Sequence, residues 1–271
     1  MAATFVVVPQ WQGSGSSRAM RLVDGAEAIR GDLPTASTRA VAVPLEAGDS
    51  EGSGVQRLSS IAIVRDRLIA ELALIDGTAI TIGGDCSVEL GAIPRVAERD
   101  AAIVWFDAHP DLNTPDSSPS HAFGGMILRT LLGEGPAALV PADPLASERV
   151  VVAGARSFDP AEDAFIAERG IRMIAADEVG PESLIAAVEA TGATTVYIHI
   201  DLDVLDPADL SGLAAPQPFG VRATVLIDTI RALLARFPLA GAGISAFAPA
   251  SPEDAVEDLP TILRIIGALN S

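Results

Sequence analysis

The stretch V-W-F-D-A-H-P-D, Val104 to Asp111, runs from an unbroken apolar segment into an aspartate, a histidine and a second aspartate at alternate positions. The apolar part, Ala102–Phe106, shows no polar alternation, so it predicts a strand buried on both faces. Strands of that kind belong to parallel sheets covered by helices. In such sheets ligands bind beyond the carboxyl ends of the strands. Asp107, His109 and Asp111 fall at that place.

Other short runs repeat the pattern. Strands are expected at Thr4–Val8, Ala40–Val43, Ala79–Ile82, Val150–Val152, Arg172–Ile174, Thr195–Ile200 and Ala242–Ile244. Helical periodicity lies between most of them, at Val55–Ile75, Glu89–Glu98, Asp159–Glu168, Pro181–Ala190, Val221–Phe237 and Pro252–Leu269. Strands alternating with helices predict an α/β fold with a parallel sheet. No internal repeat or long linker interrupts residues 1–271, which read as one domain. The most irregular segment is the polar loop N-T-P-D-S-S-P-S, Asn113–Ser120.

Composition narrows the function. Of 271 residues 49% are hydrophobic, which suits a globular core. A formal net charge of −18 argues against nucleic acid and anionic membrane as partners. All 18 basic residues are arginine, so neither a lysine Schiff base nor a phosphate-loop lysine can operate. Cys86 is the single cysteine, which leaves no internal disulfide and makes the cytoplasm the expected location. No apolar run reaches the ~18 residues of a membrane span. The N-terminus has no basic start or cleavage pattern and reads as a first strand.

Three strand ends carry the chemistry: T-I-G-G-D-C-S (Thr81–Ser87), F-D-A-H-P-D (Phe106–Asp111) and Y-I-H-I-D-L-D-V-L-D-P (Tyr197–Pro207). Residues two apart in extended backbone project to one side, so Asp107, His109 and Asp111 converge, as do Asp201 and Asp203. Gathering that many carboxylates is prohibitive unless cations compensate them. Carboxylates with one imidazole suit a hard divalent ion such as manganese or magnesium, and the number of aspartates suits two ions sharing bridging ligands. Taken singly, each segment also reads as a polar loop, and Cys86 as a small buried hydrophobe. His199 lies inside its strand and reads as a core histidine or one supporting the ligands.

G-G-D-C-S, D-A-H-P-D and D-L-D-V-L-D-P resemble the G-G-D-H-S, D-A-H-x-D and D-x-D-x-x-D-P motifs of the arginase/agmatinase family of ureohydrolases, in that order. The resemblance implies a three-layer α/β/α sandwich with a mostly parallel eight-stranded sheet and a dinuclear manganese site. Carried over by position, it implies one metal held by Cys86, Asp107, Asp111 and Asp201. The other would be held by His109, Asp107, Asp201 and Asp203, with a bridging hydroxide as nucleophile towards a guanidine-type carbon. Family arginases hold the amino-acid end of the substrate through residues matching Asn113, Ser118, Ser120 and Asp159. Ser157 stands where they have another aspartate. The resemblance therefore implies a small-molecule α-amino acid substrate rather than a plain amine such as agmatine.

Three departures modify that expectation. The family histidine of G-G-D-H-S is Cys86, a softer ligand that could favour iron, cobalt or zinc over manganese. The family's acid/base histidine aligns with Gly124, leaving His121 as the nearby candidate. The glutamate that contacts the guanidinium aligns with Ala246. A charged guanidinium would find no carboxylate partner and its leaving amine no aligned proton donor. The expected substrate is then Nω-hydroxy-L-arginine, hydrolysed to L-ornithine and hydroxyurea. The alternatives are a conventional arginase, agmatinase or formimidoylglutamase, and a non-catalytic metal-binding relative. Family members often form trimers or hexamers. The chain stops at R-I-I-G-A-L-N-S without a further tail and carries a high negative charge, so a monomer is expected.

Overall fold

The computed structural model describes residues 3–270. Eight strands form one sheet: β1 Thr4–Val8, β2 Thr38–Ala40, β3 Ala79–Gly83, β4 Ala101–Phe106, β5 Val150–Ala153, β6 Arg172–Ile174, β7 Thr195–Asp201 and β8 Leu239–Ser245. The helices are α1 Arg21–Asp32, α2 Leu58–Leu72, α3 Glu89–Ala92, α4 Ile127–Leu131, α5 Pro160–Arg169, α6 Pro181–Glu189, α7 Ala223–Arg236 and α8 Pro252–Leu269. The sheet order is β2-β1-β3-β8-β7-β4-β5-β6. Every pairing is parallel, so the sheet is parallel throughout and not merely for the most part.

The strands are apolar on both sides because both sides are covered. Phe5, Val7, Val104, Phe106, Ile198 and Ile200 pack with Ile29, Leu184, Leu226, Ile230 and Ile265, from α1, α6, α7 and α8. Their strand neighbours Val6, Val8, Ile103, Trp105 and Tyr197 pack with Ile61, Leu68, Leu90, Ile127 and Phe165, from α2 to α5. Alternation sends consecutive residues to opposite layers. The result is the expected three-layer α/β/α sandwich.

Several boundaries move for identifiable reasons. β2 pairs at Thr38–Ala40, earlier than Ala40–Val43, although the Val41 N–H still donates to the Val7 carbonyl. α2 starts after Arg57, whose left-handed φ of 58° excludes it from the helix. The expected helix from Glu89 breaks at Pro94, which has no N–H to donate, and continues as a 3-10 turn. α7 begins at Ala223 because Val221 is spent on a bridge to Leu205. α1 and α4 were not expected. α1 buries only Leu22, Gly25, Ala26 and Ile29, too small a stripe to stand out as periodicity.

The strand order is what builds the site. β3, β8, β7 and β4 are consecutive in the sheet although they are scattered along the chain. Their carboxyl ends therefore lie side by side; β3, β7 and β4 each lead into one of the three polar segments, and β8 leads to Ser245 and Ala246 between them.

Candidate metal centre

β3 ends at Gly83; Gly84 and Asp85 follow, and then a 3-10 turn, Cys86–Val88. Asp85 caps that turn: its carboxylate accepts from Ser87 N at 2.8 Å and from Gly13 N at 2.9 Å. Asp85 is thereby structural, and burial raises its pKa to about 6. The cap points Cys86 inward. Its thiol donates to Asp201 Oδ2 at 2.8 Å and lies 3.2 Å from Ser245 Oγ at the end of β8. Burial, then the charge of Asp201, pushes the thiol well above its ordinary value.

The segments after β4 and β7 lock together through backbone amides. Asp107 Oδ1 accepts from His109 N at 2.7 Å, Asp201 Oδ1 from Asp203 N at 2.9 Å, and Asp203 Oδ1 from Ala108 N at 3.0 Å. His109 Nδ1 lies 3.1 Å from Asp203 Oδ2 and 3.5 Å from Asp107 Oδ1. Burial opposes charge on His109, but hydrogen bonds and charges from the two aspartates prevail and push its pKa up to about 12. Burial, then the charge of Asp203, raises Asp201 to about 7, and burial, then the charge of Asp107, raises Asp203 to about 6. Asp111 is raised well above its ordinary value, first by burial and then by Asp107.

These groups line one cavity of about 280 Å³. Asn113, Ser118, Ser120, Ser157 and Asp159 line it too, as do Gly124 and Ala246. His121 does not line it; this side chain is exposed, and only its backbone N–H engages the loop, donating to Ser118 Oγ at 3.1 Å. The fold thus leaves the one weak acid/base candidate outside the pocket. Asn113 Nδ2 donates to Asp159 Oδ2 at 2.8 Å, which joins the loop after β4 to the start of α5.

Two residues that hold this arrangement were not foreseen. Glu162 is buried, and its carboxylate accepts from Leu112 N at 2.9 Å and from Asp159 N at 2.8 Å. The D-P-A-E spacing of Asp159–Glu162 was a readable capping-box signal. Glu162→Ala strands two amide donors and is expected to cost about 2–4 kcal/mol, with a fall in Tm of roughly 2–4 °C per kcal/mol. Thermal unfolding checks this, and Glu162→Gln should recover part of the loss. Arg156 is the second: its guanidinium donates to the carbonyls of Asp203, Gly154 and Gln217 at 2.8–3.0 Å. Its donors are committed to backbone, so it screens the carboxylates without pairing with them.

The donor set fits divalent cations. Four buried aspartates, a thiol and an imidazole converge. Among the described residues Asp111 Oδ2 is buried without a hydrogen-bond partner, an orphan that a cation would satisfy. Ligand-type atoms of Asp107, His109 and Asp203 lie within 4.8 Å of one another. Oxygen donors with one imidazole select hard or borderline ions.

A family model described as the arginase family matches residues 25–258. The chain belongs to the arginase family. It is 32% identical over 201 residues to an arginase of Bacillus caldovelox, a match covering 69% of this chain and 65% of that protein. It is 30% identical over 185 residues to an arginase of Staphylococcus aureus strain MRSA252, covering 63% of this chain and 61% of that protein. The chain spans less than two thirds of the length of these curated relatives. The crystal structure of Entamoeba histolytica arginase in complex with L-ornithine has a TM-score of 0.88 to it. That likeness covers 98% of this chain and 97% of that one at 24% identity, which shows a shared fold. Among the described residues no helix is long and apolar enough to cross a membrane.

Proposed function

We propose that this chain is a dinuclear-metal amidinohydrolase that converts Nω-hydroxy-L-arginine and water to L-ornithine and hydroxyurea. The observation that carries the reading is a single cavity that gathers the family's metal donors but presents Gly124 and Ala246 where arginases have a histidine and a glutamate. Cys86, Asp107, Asp111 and Asp201 would hold one manganese ion, and His109, Asp107, Asp201 and Asp203 the other. Bound cations supply water activation near neutral pH and offset the charge of the carboxylates. With Cys86 in the set, iron, cobalt or zinc are the other ions to test.

The chain's own residues bind and orient the substrate. Ser118 Oγ accepts from His121 N at 3.1 Å and Ser120 Oγ from Ala122 N at 3.2 Å. The two hydroxyls also lie 3.4 Å apart, so one donates to the other and the second proton remains available to a substrate carboxylate. Asn113 holds one oxygen of Asp159 and leaves the other for an α-ammonium group. The ornithine bound by the Entamoeba histolytica arginase is the same class of molecule. Ala246 follows the end of β8, its N–H donating to Gly84 O at 2.7 Å, and lines the cavity. It offers a guanidinium no counter-charge. An N-hydroxyguanidine needs less, because the electron-withdrawing oxygen lowers its basicity and leaves a larger neutral, electrophilic fraction. At these positions the chain resembles the arginase-like Nω-hydroxy-L-arginine amidinohydrolases of D-cycloserine biosynthesis.

The second reading is hydrolysis of L-arginine itself, favoured by the curated arginases at 30–32% identity. Parallel assays of ornithine release by manganese-loaded protein separate the two. The expected result is a preference for the hydroxylated substrate of roughly a hundredfold in kcat/KM, comparable to other polar-group discriminations. Ala246→Glu should narrow that preference by raising turnover of L-arginine. Equal or better turnover of L-arginine by the unaltered protein overturns the reading, and silence on both substrates favours the non-catalytic relative.

A further inference from the structure

His199 lies two residues before the end of β7 and is fully buried. Its Nδ1 is 2.8 Å from Glu89 Oε1, and the other oxygen of Glu89 accepts from Tyr197 Oη at 2.6 Å. The ring stacks on Trp105 of β4, with centroids 3.7 Å apart. Glu89 reaches the ring over Gly243 of β8, where a Cβ would stand 1.8 Å from Glu89 Oε1. A side chain at 243 would displace the carboxylate from this position. The imidazole is therefore fixed by β4, β7, β8 and α3 together.

A core histidine needs no such frame, and its second nitrogen is normally satisfied. Here Nε2 is buried and, among the described residues, has no hydrogen-bond partner. A carboxylate at Nδ1 selects the tautomer with its proton there, which leaves a lone pair on Nε2. Ligand-type atoms of Cys86, Asp107 and His199 nevertheless lie within 4.8 Å of one another. Two donors each about 2–2.3 Å from one cation stand roughly 3–4.6 Å apart. Nε2 makes no hydrogen bond to these groups, yet a spacing within 4.8 Å suits donors that share an ion. A carboxylate on the far nitrogen is also the usual support of a metal-bound imidazole.

We propose that His199 Nε2 ligates the cation on the Cys86 side, oriented by Glu89, which Tyr197 in turn holds. The inference rests on the metal-site reading above. It gives that cation back an imidazole where G-G-D-C-S has replaced one by a thiol. A neutral donor fills a coordination position without adding to the charge of Cys86, Asp107, Asp111 and Asp201. Glu89, His199 and Gly243 then form one unit with Cys86, and a change at any of them is felt at the metal.

The test uses the full chain labelled with 15N-histidine, loaded with Mn2+ alone and read by pulsed electron–nuclear resonance. The chain has three histidines, so the assignment is short. Couplings to two imidazole nitrogens are expected, from His109 and His199. One should vanish in His199→Asn, neither in His121→Asn. Mn2+ affinity should fall 10–100-fold in Glu89→Gln, about the range for lost support of a ligand. Bound Mn2+ coupled to one imidazole in the unaltered protein overturns this inference and leaves the metal site standing. No bound Mn2+ overturns both. Because the decisive reading is made on the unaltered protein, a variant that fails to fold does not obscure it.

Discussion

Asp201→Asn is expected to abolish two-metal loading and to lower turnover by about 10³-fold or more, while making the metal-free protein more stable. The two effects have one origin. Asp201 accepts from Cys86 and from Asp203 N, and it sits buried beside Asp203. Burial and that neighbour raise its pKa to about 7, which means that its charged form is disfavoured in the folded chain. Cations reverse the balance, because they need the carboxylate that the protein alone would protonate. On the proposed metal assignment Asp201 would bridge the two ions, and its loss would withdraw several kcal/mol of charge stabilisation, with about 1.4 kcal/mol for each factor of ten. Asparagine has nearly the same shape and no charge, so at pH 8 the chelator-treated variant should unfold later than the parent, by about 2 kcal/mol. Metal analysis and thermal unfolding with chelator read the two effects separately. A chelated variant less stable than its parent would remove the argument that these carboxylates await a cation.

The chelator-treated protein should lose stability steadily from about pH 4 to pH 8, and the metal-loaded protein should not. Asp85, Asp201 and Asp203 have folded pKa values of about 6 to 7, above the ordinary 3.8. Between those values the folded chain keeps protons that the unfolded chain has released. Stability is therefore fully present below pH ~4 and declines as pH rises through 6 and 7. His109 adds to the same trend at higher pH, since its raised pKa holds a proton that the unfolded histidine loses near 6.5. Binding of cations must then expel protons, and apparent affinity should climb between pH 6 and 8. Calorimetric titration of Mn2+ in two buffers of different ionisation enthalpy counts those protons. A chelated protein most stable at pH 8, or binding without proton release, would contradict the geometry of the site.

How much of this was legible beforehand depends on the range of the interactions involved. Strand cores such as Ala101–Phe106 declare themselves by composition, because a segment covered on both faces has no room for polar residues. The two-residue spacing of Asp107, His109 and Asp111, like that of Asp201 and Asp203, groups them only on the assumption of extended backbone. The chain turns after Phe106, Asp111 has a φ of 54° and Asp203 lies in the 3-10 turn Leu202–Val204, so turns rather than strand alternation bring them together. That they belong with cations followed from the cost of burying carboxylates together, and that cost does not depend on where the other strands lie. The helix ends were less legible. Arg57 and Pro94 stop helices through one backbone angle and one missing donor, which hydrophobic periodicity does not register.

Local chemistry was thus determined by the sequence itself: the metal-type donors, the missing side chains at Gly124 and Ala246, and the α/β class. Tertiary structure alone decided which of these meet. The order β3-β8-β7-β4 sets Cys86 against Asp201, 115 residues away, and Glu89 against His199, 110 residues away. The folded loop also leaves the His121 side chain exposed. Such meetings follow from the joint packing of a whole sheet and its two helical layers. No periodicity within one segment carries that information, because each strand's neighbour is chosen by contacts that form only when the others are in place.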